Sequence, residues 1–105
     1  MNVLEYQTAN GQRPYQGWIR NLKDRQGVEI IHVRMARLRL GMFGDHRYVA
    51  DGVWELRIFF GPGYRIYYLL DGDDLVILLC GGDKDSQNQD IDKAKTFAAD
   101  YWRRK

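Results

Sequence analysis

Residues 53–84 read VWELRIFFGPGYRIYYLLDGDDLVILLCGGDK, and the fold turns on this stretch. Runs of β-branched, aromatic and aliphatic residues are separated by Gly61-Pro62-Gly63 and by Asp71-Gly72-Asp73-Asp74, the turn chemistry of a three-stranded antiparallel meander. Trp54, Leu56, Ile58 and Phe60 alternate with Glu55, Arg57 and Phe59, the period-two pattern of a strand with one face on a core. Ile66, Tyr68 and Leu70 continue that apolar face. A three-residue loop that pairs Phe60 with Tyr64 keeps even-numbered residues together, whereas a two-residue loop would set Arg65 among the apolar ones. In the three-residue register Arg57 lies opposite Tyr67 and diagonal to Arg65, so both guanidinium stems start from one solvent-side face, about 7–8 Å apart. The third strand, 75–80, returns antiparallel, and Lys84 leaves the sheet close to the arginine pair. The plain alternative is that strand arginines are solvated and Lys84 is loop decoration.

Working outward, 105 residues predict one domain over 1–105 with a single modest core. A formal charge of +2 means that any polyanion is recognised by a local cluster, not by a global field. Cys80 has no cysteine partner in the chain, which fits a reducing compartment, and its apolar strand predicts core packing. Residues 1–16 carry no apolar leader core and no run reaches transmembrane length, so the expected location is the cytoplasm, with no membrane partner.

Residues 3–8 predict a short strand at the edge of the later sheet. Pro14 suits a first helical turn, and Tyr15, Trp18, Ile19 and Leu22 recur at helical spacing to near Asp24, with Trp18 as a core anchor. Over about 26–40, Val28, Ile31, Met35 and Leu38 mark an apolar stripe that Gly41 stops. The two helices are expected to form a hairpin on one sheet face, with His32, Arg34, Arg37 and Arg39 outward. That basic surface suits RNA phosphates or an acidic partner as well as plain solvation. Residues 42–52 predict a loop and short strand that puts His46 and Arg47 on the rim of the basic face. Ser86-x-x-Gln89 resembles a capping box; Asp90 follows in the first turn of a helix whose inward stripe is Ile91, Ala94, Ala98 and Tyr101. Its tail, 103–105, is expected to fray. Zinc-ligand spacings, a phosphate loop and a nucleophile elbow are all missing, so chemistry would run on Arg, Lys, His, Asp and Tyr.

The runs GMFGDHR, GVWELRIFFGPGYRIYY and LLCGGDKDSQNQDI, extended by WIRNLKD and RMARLRLG, closely resemble the phage-related addiction-module killer proteins, a branch of the RelE/HigB-like toxins in the RelE/ParE superfamily. The resemblance covers about residues 15–98. It implies an α+β, RelE-like fold: an antiparallel β-sheet with two N-terminal helices and a C-terminal helix. It implies a type II toxin, a ribosome-dependent endoribonuclease needing no metal or other cofactor, which promotes attack of a ribose 2′-OH on the adjacent phosphate of mRNA. The implied partners are mRNA on the ribosome and a helix-turn-helix antitoxin, through which alone operator DNA is contacted. Carried across by motif, Arg65 of GYR is the phosphate-binding arginine, Arg57 of ELRI the preceding strand cation, and Lys84 of GGDK the basic residue after the last strand. Arg47 fills the basic place of GDHR. The tyrosine that RelE carries after the last strand is absent here, where Gln87, Asn88 and Asp90 stand. His46 and Asp90 are the candidate bases, and Arg34, Arg37 and Tyr67 join Arg47 as candidate RNA contacts. Alternatives are a ParE-like gyrase poison and a non-catalytic module that binds RNA or antitoxin.

Overall fold

The computed structural model describes residues 1–105. Along the chain come β1 (Asn2–Glu5), α1 (Pro14–Asn21), α2 (Arg25–Arg39), β2 (His46–Ala50), β3 (Val53–Ile58), β4 (Tyr64–Leu70), β5 (Leu75–Asp83) and α3 (Gln87–Arg104). The strands form one sheet in the order β1-β5-β4-β3-β2. The 53–84 meander is antiparallel as expected, and β1 does add to the edge. It runs parallel to β5, however, so the sheet is mixed and not wholly antiparallel. No helix is long and apolar enough to cross a membrane.

The β3–β4 register departs by two residues from the expected one. Ile58 pairs with Tyr64 and Arg57 with Arg65, leaving a five-residue connection from Phe59 to Gly63. The β3 ladder stops at Ile58, and Phe59 turns out to 78% exposure. A shift of two preserves side-chain parity. Faces are therefore as expected, but the two arginines are directly opposite and not diagonal.

Both faces of the sheet are covered, where a single core was expected. Leu56, Ile58, Ile66, Tyr68, Val76 and Leu78 pack under the α1–α2 hairpin with Ile31, Met35 and Leu38. On the other face Val53, Tyr67, Leu69, Ile77, Leu79 and Cys80 pack against Ala94 and Ala98 of α3. A bulge at Leu79, between the pairs Tyr67↔Cys80 and Tyr68↔Leu78, resets which residues of β5 face each layer. Beyond it, Gly81 lies under the Trp18 ring, where a Cβ would come within 2.3 Å, confirming Trp18 as an anchor.

The helix ends are fixed by specific contacts. Asp24 caps α2 by accepting from the Gly27 amide at 3.0 Å, and the Tyr64 hydroxyl donates to the same carboxylate at 2.6 Å. The expected capping box at Ser86 does not form: its hydroxyl donates to Asp90 at 2.5 Å. The tail expected to fray is tied down, with Arg103 and Arg104 paired to Asp100 and Lys105 to Asp71. Asp100 also accepts from Tyr6 of the loop after β1, and this hydrogen bond leads the contacts that hold its carboxyl down at about 2.

Candidate functional site

Two rows of side chains cross the α3 side of the sheet. One is Asp45, Arg57, Arg65 and Gly82; the other is Arg47, Glu55, Tyr67 and Cys80. Like charges placed directly opposite repel, so Arg57 and Arg65 are tolerable only with counter-charges, and each has one. Arg57 donates to Asp45 Oδ1 from Nε at 3.2 Å and from Nη2 at 2.9 Å. Arg65 Nη1 donates to Glu55 Oε1 at 3.2 Å, and Arg47 Nε to the same oxygen at 2.8 Å.

Glu55 is fully buried, and Gln87 at the start of α3 donates to its other oxygen at 3.0 Å. Burial alone would push this carboxyl up. Hydrogen bonds from Arg47 and Gln87, with the charges of Arg65 and Arg47, outweigh that and hold it below the usual carboxylate value. Glu55 thereby ties β2, β4 and α3 together. Nothing assigned it in the sequence, where it reads as the solvent-side partner in a strand alternation. Its opposite sign to Arg57, two residues on and on the same face, was the available signal.

Arg65, expected to face solvent, is nine-tenths buried, with the fully buried Glu55 as its counter-charge. Its Nε is sealed from solvent with no partner, and its Nη2 makes no hydrogen bond within the protein. Arg57 remains about one-third exposed, with its guanidinium carbon 5.6 Å above the Phe59 ring. Lys84 is exposed and makes no ion pair; its Cβ is 3.6 Å from where a side chain on Gly63 would begin. Arg57, Arg65 and Lys84 thus gather at one end of the α3 face, with Arg47 one row behind.

The other candidates fall elsewhere. His46 points to the helix-hairpin side, since it pairs with Leu56. Its ring centre lies 5.2 Å from Phe43 and 5.8 Å from Trp54, and Nδ1 contacts the Gly44 carbonyl at 2.8 Å. Asp90 is buried over Gly82, where a Cβ would lie 1.8 Å from its carboxylate, and holds the Ser86 hydroxyl. Tyr67, expected to touch RNA, has no exposed surface beneath α3. Burial and the neighbouring Glu55 charge raise the pKa of its phenol. Arg34, expected outward, turns in and donates to the carbonyls of Arg57, Phe43 and Asp45 at 2.7, 3.0 and 3.1 Å, clamping α2 to the ends of β2 and β3. Arg37 is exposed on α2 as expected. No group of three His, Cys, Asp or Glu is placed to hold a metal ion.

Fold and site together define a small α+β protein that gathers arginines and a lysine at one end of a covered sheet. The chain belongs to the family described as phage derived protein Gp49-like (DUF891), whose pattern matches residues 17–100. It is similar to an uncharacterized protein of Haemophilus influenzae, 46% identical over 84 residues, a match covering 80% of this chain and 85% of the relative. The matched span holds every candidate residue above, from Arg34 to Asp90.

Proposed function

We propose that this protein is the toxin of a type II toxin–antitoxin pair with a RelE/HigB-like fold, acting in the cytoplasm as a ribosome-dependent endoribonuclease on mRNA. The observation that carries the reading is the direct opposition of Arg57 and Arg65 on neighbouring strands, with unpaired Lys84 beside the turn that joins them. In-line attack of a 2′-OH on the adjacent phosphate passes through a species with extra charge on its non-bridging oxygens. Fixed guanidinium groups stabilise that charge without a metal ion. Arg57, the more exposed of the two, meets the phosphate first, and Arg65 offers its free Nη2 from behind. Lys84 donates to the departing 5′-oxygen. Asp45 takes the role of base that His46 and Asp90 are badly placed for: it is 32% exposed and uses only Oδ1 to hold Arg57.

A second reading, a module that binds antitoxin or RNA without cutting, is favoured by one feature. Glu55 and Asp45 already engage the guanidiniums a phosphate would need. Induced expression separates the two. The nuclease reading predicts growth arrest with discrete cuts in translated mRNA, both lost in Arg57→Ala and Lys84→Ala proteins of unchanged thermal stability. Growth arrest without cuts would point to another target such as gyrase, and absence of toxicity to the binding module. The antitoxin complex is expected to weaken with added salt, because the surfaces offered to it are rich in unpaired cations.

A further inference from the structure

Phe59 and Phe60 are neighbours in the chain, yet their side chains end in opposite places. Phe60 packs, partly buried, against the core under the α1–α2 hairpin, whereas Phe59 is 78% exposed. Local hydrogen bonds account for the split. The Phe60 amide donates to the Ile58 carbonyl at 3.0 Å, a three-residue turn centred on Phe59, and the Gly63 amide donates to the Phe60 carbonyl at 3.0 Å, closing a four-residue turn behind it. Gly61 and Gly63 take φ values of 56° and 81° in that second turn, which glycine adopts without strain. The turn is also braced from both sides. A Cβ on Gly61 would lie 3.6 Å from the Asp24 carboxylate, and one on Gly63 3.6 Å from Lys84 Cβ. Phe59 is therefore held out from the protein by a built turn.

A single exposed aromatic ring needs no explanation by itself. This one stands on the arginine face: the Arg57 guanidinium carbon is 5.6 Å from its ring centre, and no other aromatic ring of the chain packs on it. Lys84, which makes no ion pair, meets the far end of the same turn. An apolar protein surface laid on the ring would desolvate both cations and bring no new counter-charge. A single-stranded polynucleotide brings a flat base for the ring and phosphates for the cations together. Duplex RNA does not, because its bases are already stacked on one another.

Resting on the nuclease reading, we propose that Phe59 is the base-stacking residue of the site: the unpaired base of a nucleotide flanking the scissile phosphate lies on its ring while Arg57 holds the phosphate. Every base has a π face, so Phe59 adds affinity and alignment with little sequence preference.

The test uses the full chain on ribosomes stalled with a tRNA-free codon, the stretch of message a protein can reach. Cleavage is followed as kcat/KM for the wild type, Phe59→Leu and Phe59→Trp, all checked for unchanged thermal melting. Leucine keeps apolar bulk without a π face, and tryptophan enlarges that face. Phe59→Leu is expected to cut about 10–100-fold less efficiently, and Phe59→Trp to stay within about 3-fold of the wild type. In parallel, 2-aminopurine is placed at each position of that codon in turn, in an uncleavable 2′-O-methyl message. Its fluorescence should be quenched at one position by the wild type and by Phe59→Trp, and stay bright with Phe59→Leu. Unchanged quenching in Phe59→Leu would overturn the stacking assignment whatever the cleavage rate, and so would unchanged cleavage. Weaker binding of Phe59→Leu to the product of the adjacent open reading frame, with cleavage intact, would make the ring a protein contact instead. Phe59→Trp as impaired as Phe59→Leu would make it a contact of shape alone. A wild type that cuts no message would remove the nuclease reading, and quenching on the uncleavable message then decides the stacking assignment separately.

Discussion

Towards α1 and α2 the sheet turns Leu56, Ile58, Ile66 and Tyr68; towards α3 the same two strands turn Glu55, Arg57, Arg65 and Tyr67. The two faces therefore consist of alternate residues of one hairpin. The first is held by area removed from water, which is non-directional and tolerates small shifts. The second is held by an ion cluster, whose buried charges, Glu55 and Arg65, are tolerable only while their partners are in place. A site built on the second face is positioned by geometry the protein needs for its own stability. That is why a buried arginine and a one-third exposed one can stand opposite each other.

The contrast is broken most severely by Glu55→Ala. Removing that carboxylate leaves Arg65 buried and uncompensated, an expected loss of about 3–4 kcal/mol in urea unfolding. Arg47, half exposed on the edge strand, adds little to the figure. On the opposite face Leu56→Ala should cost about 3 kcal/mol through lost contact and a residual cavity. It should leave the arginine geometry unchanged, so any residual cleavage follows the folded fraction. If Glu55→Ala were the milder of the two, the ion cluster would not be the structural element argued here.

Smaller effects sharpen the picture. Gly81→Ala forces a methyl into the Trp18 ring and should cost about 1–3 kcal/mol by overpacking. Asp24→Ala removes the α2 cap and the acceptor of the Tyr64 hydroxyl, an expected loss of about 1–2 kcal/mol. The subtlest effect is the pH dependence. The folded value of Glu55 lies below its ordinary 4.5, so its contribution is complete above that pH and is lost as pH falls through the lower folded value. Melting temperature should therefore fall more steeply in acid for the wild type than for Glu55→Gln; parallel curves would refute the depressed carboxyl.

Much of this was legible from residue order. Period-two alternation in 54–58 and 66–70 located the strands and their faces, and Pro14 and Ser86 stand at the helix starts expected of them, whereas Asp24, read as the end of the first helix, caps the second. The register was not legible, because Phe59 and Phe60 read as strand while the ladder stops at Ile58, a decision made by the five-residue turn. Nor was the second core. Tyr67, Leu69, Ile77 and Leu79 continue the apolar runs on the supposedly solvated face, the mark of strands covered on both sides, but Glu55, Arg57 and Arg65 interrupt that face and give it the pattern of a solvated one. For the site, the opposed strand arginines were readable as a pair. Of their carboxylate partners, Asp45 reaches Arg57 only through the approach to β2, which a short, weakly patterned strand conceals, and Glu55, diagonal to Arg65 across β3–β4, was signalled only by its opposite sign in the alternation. Arg34 misled because exposure on a helix was assumed where tertiary contacts turn it in; His46 is exposed, but its pairing with Leu56 puts it on the helix-hairpin side and not on the rim of the basic face.

The measurement closest to the central claim maps mRNA ends on ribosomes after brief induction of the wild type and of Arg57→Ala. Substitution at this partly exposed position leaves the buried Glu55–Arg65 pair intact. The account predicts discrete new ends within translated codons for the wild type, and none for Arg57→Ala at equal protein level and equal melting temperature. Identical ends in both, or growth arrest with no new ends in either, would contradict it.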